Sequence, residues 1–199
     1  DLLEPVEVCS VAGDVDGMAA ILGMEAAKVI EVCAASSAAS GEVAEAVNFN
    51  DPSQTVIAGS KAGVEKACEA LKSAGAKRAL PLPVSAPFHS SLMKPAAQRL
   101  REALEAIDLG TPRIPVINNI DVAIEVDADR IVDALYRQAF GPVRWVECVR
   151  AIKARGVMHV VECGPGKVLA GMVKRIDPEL TGAAVHDPAS LAEVKGLLS

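Results

Sequence analysis

Val43-Ala-Glu-Ala-Val-Asn-Phe-Asn-Asp-Pro-Ser-Gln-Thr-Val-Ile-Ala-Gly-Ser60 reads as two strands folded back on each other. Val43 to Asn50 and Thr55 to Ser60 are the strand-like runs, and Asn50-Asp51-Pro52-Ser53 between them has turn chemistry. Upstream, Met18 to Met24 is a short apolar run read as a strand. Glu25 to Ser37 carries Val29, Ile30, Cys33 and Ala34 at helical spacing. Downstream, Lys61 to Ala74 reads as a helix with Val64, Ala67, Cys68 and Leu71 on one face and Gly75 as its stop. Lys77 to Ser85 is a further strand. The order over residues 18–85 is therefore β-α-β-β-α-β, the split-βαβ or ferredoxin-like arrangement. Many functions share that arrangement, so it names none. Residues 1–16 carry no clear period and are an unplaced remnant or linker, with Leu2 to Ala12 either an edge strand or a loop.

The second half, residues 86–199, has another architecture. Ser90 to Ile107 is an expected helix with Pro95 near its start, and Arg113 to Ile120 an expected strand. Asp127 to Phe140 and Pro142 to Arg155 are expected helices, the latter with a first-turn proline. Met158 to Cys163 is an expected buried strand, and Gly164-Pro-Gly-Lys opens a helix from Val168 to Ile176. A strand at Thr181 to Val185 and a helix at Ser190 to Leu198 follow. Alternating strands and helices imply crossovers and a parallel or mixed sheet. About three strands are few for an open sheet, so further strands are expected to complete it.

Composition narrows the function classes. The 199 residues are 51% hydrophobic and only 3% aromatic, dominated by Ala, Val, Leu and Ile, as in α/β proteins. A net charge of −6 with no basic tract argues against nucleic acid. No apolar run approaches the roughly 20 residues of a membrane span. Five cysteines (Cys9, Cys33, Cys68, Cys148, Cys163), an odd count without a CxxC pair, read as reduced thiols of a cytoplasmic protein and not as a metal site. The acidic start Asp1-Leu-Leu-Glu-Pro lacks a signal peptide's basic region. It also lacks an initiator Met, so the chain is expected to begin inside a larger one.

Three polar groupings are candidates for chemistry. His89, with Phe88 beside it, lies in Leu80-Pro-Leu-Pro-Val-Ser-Ala-Pro-Phe-His-Ser-Ser-Leu-Met-Lys-Pro95, where three prolines stiffen the backbone ahead of it. It is either a helix-capping residue or a general base held still. Asn118-Asn119 ends a run in which amides either bind substrate or close an Asx-turn. Glu162-Cys163-Gly164-Pro165-Gly166-Lys167 is either a tight strand-to-helix turn or an anion cradle built on Gly164 and Gly166. His159 and His186 lack spaced metal partners and read as structural. A Cys163 nucleophile, as in a hydrolase, would need His89 within hydrogen-bond reach.

Together, Val47-Asn-Phe-Asn-Asp-Pro-Ser-Gln-Thr-Val-Ile-Ala-Gly59, the run Lys77 to Pro95, Val116-Ile-Asn-Asn-Ile-Asp121, Arg137-Gln138 and Gly164-Pro-Gly-Lys-Val-Leu169 resemble the malonyl-CoA:acyl-carrier-protein transacylases. The resemblance covers roughly residues 17–196, the carboxy-terminal two-thirds of such an enzyme. It implies an α/β-hydrolase-like subdomain, incomplete here, with a ferredoxin-like insert: 17–85 would be the insert and 86–199 part of the larger subdomain. It also implies an acyltransferase of fatty-acid or polyketide synthesis, moving malonyl from malonyl-CoA to acyl carrier protein through an acyl-serine, with no cofactor.

His89 matches the family's catalytic histidine, and Gln138 the glutamine whose main-chain carbonyl orients it. Phe88 matches a position that narrows the acyl pocket in polyketide acyltransferases. The family's serine elbow, Gly-His-Ser-Leu-Gly, has no counterpart: the sequence contains no Gly-x-Ser-x-Gly. The chain alone is therefore expected to be inactive. The rival expectation is a non-catalytic carrier-protein or coenzyme-A-binding module, presenting Lys153, Arg155, Lys167, Lys174 and Arg175 to an acidic partner.

Overall fold

A computed structural model describes residues 16–198 of the chain. Residues 1–15 of the unplaced stretch 1–16, Cys9 among them, lie outside the described residues, and Asp16 belongs to the first strand. The fold is mixed α/β and divides into two compact units, one running to Arg144 and the other starting at Trp145. Residues 86–144 thus group with the first unit, whereas the sequence pattern alone changes at residue 85. Among the described residues no helix is long and apolar enough to cross a membrane.

The first unit is built on β1 (Asp16–Leu22), α1 (Ala26–Ser40), β2 (Ala44–Asp51), β3 (Gln54–Ser60), α2 (Lys61–Ser73) and β4 (Arg78–Leu82). The strands form one antiparallel sheet in the order β2-β3-β1-β4. The hairpin turns where turn residues stand: the Ser53 N–H donates to Asp51 Oδ1 at 2.9 Å. Ser60 starts α2 by accepting from the Gly63 N–H at 3.1 Å, an N-cap of the preferred type.

Strand periodicity sorts the side chains to two faces. Ala19, Ile21 and Ile57 meet Val29 and Cys33 of α1 and Val64, Ala67, Cys68 and Leu71 of α2 in one buried cluster. Met18, Val56 and Ala58 face the other way, with Val47. Burial, with the neighbouring Cys68 second, pushes the Cys33 thiol up to about 12, so it stays protonated and packs as an apolar group.

A 3-10 turn at Ser91–Met93 leads into α3 (Lys94–Glu105), which packs on α4 (Ala128–Phe140). The Arg101 guanidinium lies over the Tyr136 ring at 5.2 Å, and Tyr136 meets Phe140 edge-on at 5.1 Å. Asp127 caps α4 by accepting from the Arg130 N–H.

The strand expected at Arg113–Ile120 does not form. Pro115 has no N–H for a ladder, and the segment makes a single isolated bridge, Ile117 to Ile124. Nor does Pro142 open a helix. The next residue, Val143, is strand-like: its N–H donates to the Val47 carbonyl at 2.7 Å and its carbonyl accepts from the Phe49 N–H at 2.9 Å.

The second unit contains α5 (Trp145–Lys153), β5 (His159–Cys163), α6 (Val168–Ile176), β6 (Thr181–Val185) and α7 (Pro188–Leu198). β5 and β6 pair in parallel, so residues 86–198 supply two strands instead of about three. Val149, Met172, Val173, Ile176 and Leu180 form the core of this unit. β5 is less covered than its apolar sequence suggested: His159 and Cys163 are exposed and the three residues between them half-buried. Cys148 is buried, as are Cys33 and Cys68 in the first unit.

Candidate functional site

His89 sits on the turn between β4 and the 3-10 segment, and its backbone is unusual. Its φ is +64°, a left-handed conformation that costs a side-chain-bearing residue about 1–2 kcal/mol. Neighbouring bonds hold the turn in this shape. The Ser90 N–H and Oγ both donate to the Pro87 carbonyl, at 3.2 and 2.6 Å. The Ser91 N–H donates to Glu45 Oε2 at 2.7 Å.

The His89 ring is fixed separately. Its Nδ1 lies 2.9 Å from the main-chain carbonyl oxygen of Gln138, in the last turn of α4. A carbonyl oxygen can only accept, so Nδ1 carries a proton, and in the neutral ring Nε2 then keeps its lone pair. A neutral imidazole with a free Nε2, oriented through the other nitrogen, has the form of a general base. Sequence reading placed these two residues 49 apart, and the fold brings them into contact.

The other expected residues fare differently. Phe88, 36% exposed, stands next to His89 on the same turn. The Asn118 side chain serves its own loop: Nδ2 donates to the Ala123 carbonyl at 3.1 Å and Oδ1 accepts from the Asp121 N–H at 2.7 Å. That is the Asx-type closure, and it supports Val122 at a φ of +57°. Asn118 and Gln138 nonetheless line one mostly apolar cavity of about 300 Å³, together with Ile117, Ile131 and Leu135.

Sequence reading missed what ties this loop to α4. Arg137 grips Asp121 with two parallel bonds of 2.8 and 2.7 Å, and its Nε reaches Asp133 at 2.7 Å. This hydrogen-bonded guanidinium holds the Asp121 carboxyl below the usual carboxylate range. The i, i+4 partner, Asp133, was readable from helical spacing; Asp121 was not.

Gly164 and Gly166 belong to the second unit, where φ values of +141° and +110° make the strand-to-helix turn possible. A Cβ on either would meet nothing within 4 Å. One early amide of α6 is already used, since the Ala170 N–H donates to Glu162 Oε2 at 2.8 Å. Cys163 is exposed, but it and His89 lie on different units. Ser90, the hydroxyl nearest His89 in sequence, is fully buried and bonded to Pro87, which disqualifies it as a nucleophile. Of the basic residues expected to face a partner, Lys153 is paired with both Asp177 and Glu179. Arg155, in the turn beyond α5, bonds the Ala151 carbonyl of that helix.

No protein-family model matches the chain. Individual relatives do, and they are acyltransferases. A malonyl CoA-acyl carrier protein transacylase of Salmonella typhimurium is 52% identical over 176 residues, covering 88% of this chain and 56% of the relative. Among solved structures, an acyl-carrier-protein S-malonyltransferase of Burkholderia pseudomallei superposes with a TM-score of 0.89 at 63% identity, over 94% of this chain and 60% of that one. A malonyl transacylase solved in complex with its type II polyketide acyl carrier protein gives 0.89 at 48% identity, over 92% and 59%. The chain belongs, over the matched residues, to the malonyl-CoA:acyl-carrier-protein transacylase family. It spans a little over half the length of these relatives.

Proposed function

We propose that this chain is the histidine-bearing part of a cytoplasmic malonyl-CoA:acyl-carrier-protein transacylase. The observation that carries the reading is the bond from His89 Nδ1 to the Gln138 carbonyl, which leaves Nε2 free to act as a base.

In the complete site, His89 Nε2 takes the proton of a serine hydroxyl as its oxygen attacks the thioester carbonyl of malonyl-CoA. The protonated ring then gives that proton to the departing coenzyme A thiolate, leaving malonyl-serine. The second half runs in reverse: the ring takes the proton of the carrier protein's phosphopantetheine thiol, the sulfur attacks the acyl carbonyl, and the ring returns the proton to the departing serine oxygen. Gln138 keeps the imidazole oriented through both halves without a buried carboxylate beside it.

The same reading gives the remaining residues their roles. Phe88, on the histidine turn, restricts the acyl group towards malonyl. Asn118 shapes the wall beside Gln138 by holding its loop. Gly164 and Gly166 leave open space at the start of α6, where a substrate carbonyl can approach. Residues 17–85 are the ferredoxin-like subdomain, its strand order β2-β3-β1-β4 suiting that arrangement, and 86–199 are part of the acyltransferase subdomain.

The sequence lacks a Gly-x-Ser-x-Gly elbow, so the test is a chimera. Residues 17–196 replace the matching segment of the Salmonella relative, and malonyl transfer from malonyl-CoA to acyl carrier protein is measured. Transfer by the chimera is the expected result. A folded chimera that transfers nothing would contradict the proposal.

A further inference from the structure

β2 is the outermost strand of its sheet, and only one of its edges pairs with β3. The outer edge has other work. At Val47 and Phe49 it holds Val143, five residues beyond Gln138, with two backbone bonds of 2.7 and 2.9 Å. Two residues before Val47, Glu45 reaches Ser91, two residues beyond His89, at 2.7 Å. The same short stretch of strand therefore grips both chain segments that supply the His89–Gln138 bond.

We infer that β2 is the jig of this site and that Glu45 is a positioning residue for His89, an inference that rests on the proposed role of that histidine. Glu45 acts through the backbone. Its carboxylate takes the first N–H of the 3-10 turn, a donor that the turn itself leaves unsatisfied, and a negative charge suits a helix start. Ser90 is bonded back to Pro87 on one side, and Ser91 is bonded to Glu45 on the other. His89, in its left-handed conformation, lies inside the Pro87–Ser90 turn and two residues ahead of the Ser91 anchor. Releasing the Ser91 anchor lets the His89 backbone relax to an ordinary φ and swings the ring away from the Gln138 carbonyl. A plain capping role for Glu45 would stabilise α3 without affecting which ring nitrogen carries the proton.

The readout is the ring tautomer of His89 in the full 199-residue chain, labelled with nitrogen-15 in its histidines and observed at about pH 8, where an ordinary imidazole is neutral. The wild-type chain should show a fixed Nδ1–H and a bare Nε2. Glu45→Ala should give mixed tautomers and exchange the Nδ1 proton roughly five- to tenfold faster, in line with loss of an N-terminal cap. Glu45→Gln, whose amide oxygen can accept the same N–H, should keep the wild-type pattern. Ser91→Pro removes the N–H while leaving Glu45 in place and should behave as Glu45→Ala does. Its backbone fits, because Ser90 is extended at φ −91° and ψ 166° and proline suits a first helical position. This variant also keeps the test decisive should Glu45→Ala fail to fold, with β1 and β3 amide protection reporting the fold.

A fixed Nδ1–H in folded Glu45→Ala or Ser91→Pro would overturn the inference, as would Glu45→Gln matching Glu45→Ala. A wild-type ring without the Nδ1–H tautomer would instead overturn the reading of His89 as a base oriented by Gln138.

Discussion

Two strand-to-helix turns in this chain both use positive φ but place different residues there. The turn at Pro87–Ser91 puts a histidine where glycine would be easier, and holds it there with bonds from Pro87, Glu45 and Gln138. The turn at Cys163–Lys167 uses Gly164 and Gly166 where only glycine is comfortable, with open space where their side chains would be. A strained side chain persists only when the surroundings over-determine it, and at the histidine turn the partners come from distant elements. Glycines in open space need no such partners. They shorten a connection and leave room beside it.

This contrast can be broken most severely at the ring itself. In the chimera, His89→Ala should lower malonyl transfer by roughly 10²- to 10⁴-fold, the usual range for a lost general base, with the amide spectrum unchanged. Cys163→Ala, beside the glycine turn, should leave transfer unchanged within about twofold on the same scale. A large loss at Cys163 would move the chemistry to the other turn.

Backbone strain supplies the next largest effect, and its sign should reverse between the turns. Gly164→Ala should destabilise the chain by about 1–3 kcal/mol in urea unfolding, because its φ is open almost only to glycine. At the histidine turn, His89→Gly should be more stable than His89→Ala by about 1 kcal/mol, since glycine removes the left-handed penalty. Equal stabilities for the two His89 variants would mean that the turn is not strained.

The smallest effect concerns the loop beside Gln138. Asp121 has its carboxyl lowered in the folded chain by Arg137. Its contribution to stability is therefore complete above the ordinary carboxylate value of 3.8 and is lost as pH falls through the lower folded value. Both groups are partly exposed, so Asp121→Asn should cost no more than about 1 kcal/mol near neutrality. It should also remove that part of the acid dependence, as seen by unfolding at a series of pH values. No such difference is expected from substitutions at the glycine turn.

Which parts of the molecule were legible beforehand follows from how far apart their partners lie. The β2–β3 hairpin and the Gly164 turn are written in consecutive residues, and the βαββαβ order was read from the runs of residues 18–85 alone. The strand expected at Arg113–Ile120 failed because an apolar run has the composition of a strand without its pairing partners, and Pro115 withholds a donor. Pro142 misled for a related reason: it suits a helix start, but Val143 is already bonded to β2. At the site, His89 was conspicuous locally, and Gln138 was found only through the family resemblance. Glu45, 46 residues from Ser91, and Asp121, 16 from Arg137, left no local signal, because hydrogen bonds across the fold have no sequence period.

The central claim is that this chain supplies a histidine base without the serine that the base serves. Mass spectrometry of the 199-residue chain and of the chimera, each incubated with malonyl-CoA, tests it most directly. The chimera should gain the mass of one malonyl group and lose it when acyl carrier protein is added, whereas the chain should gain none. A malonyl group found covalently on the chain itself would contradict the account.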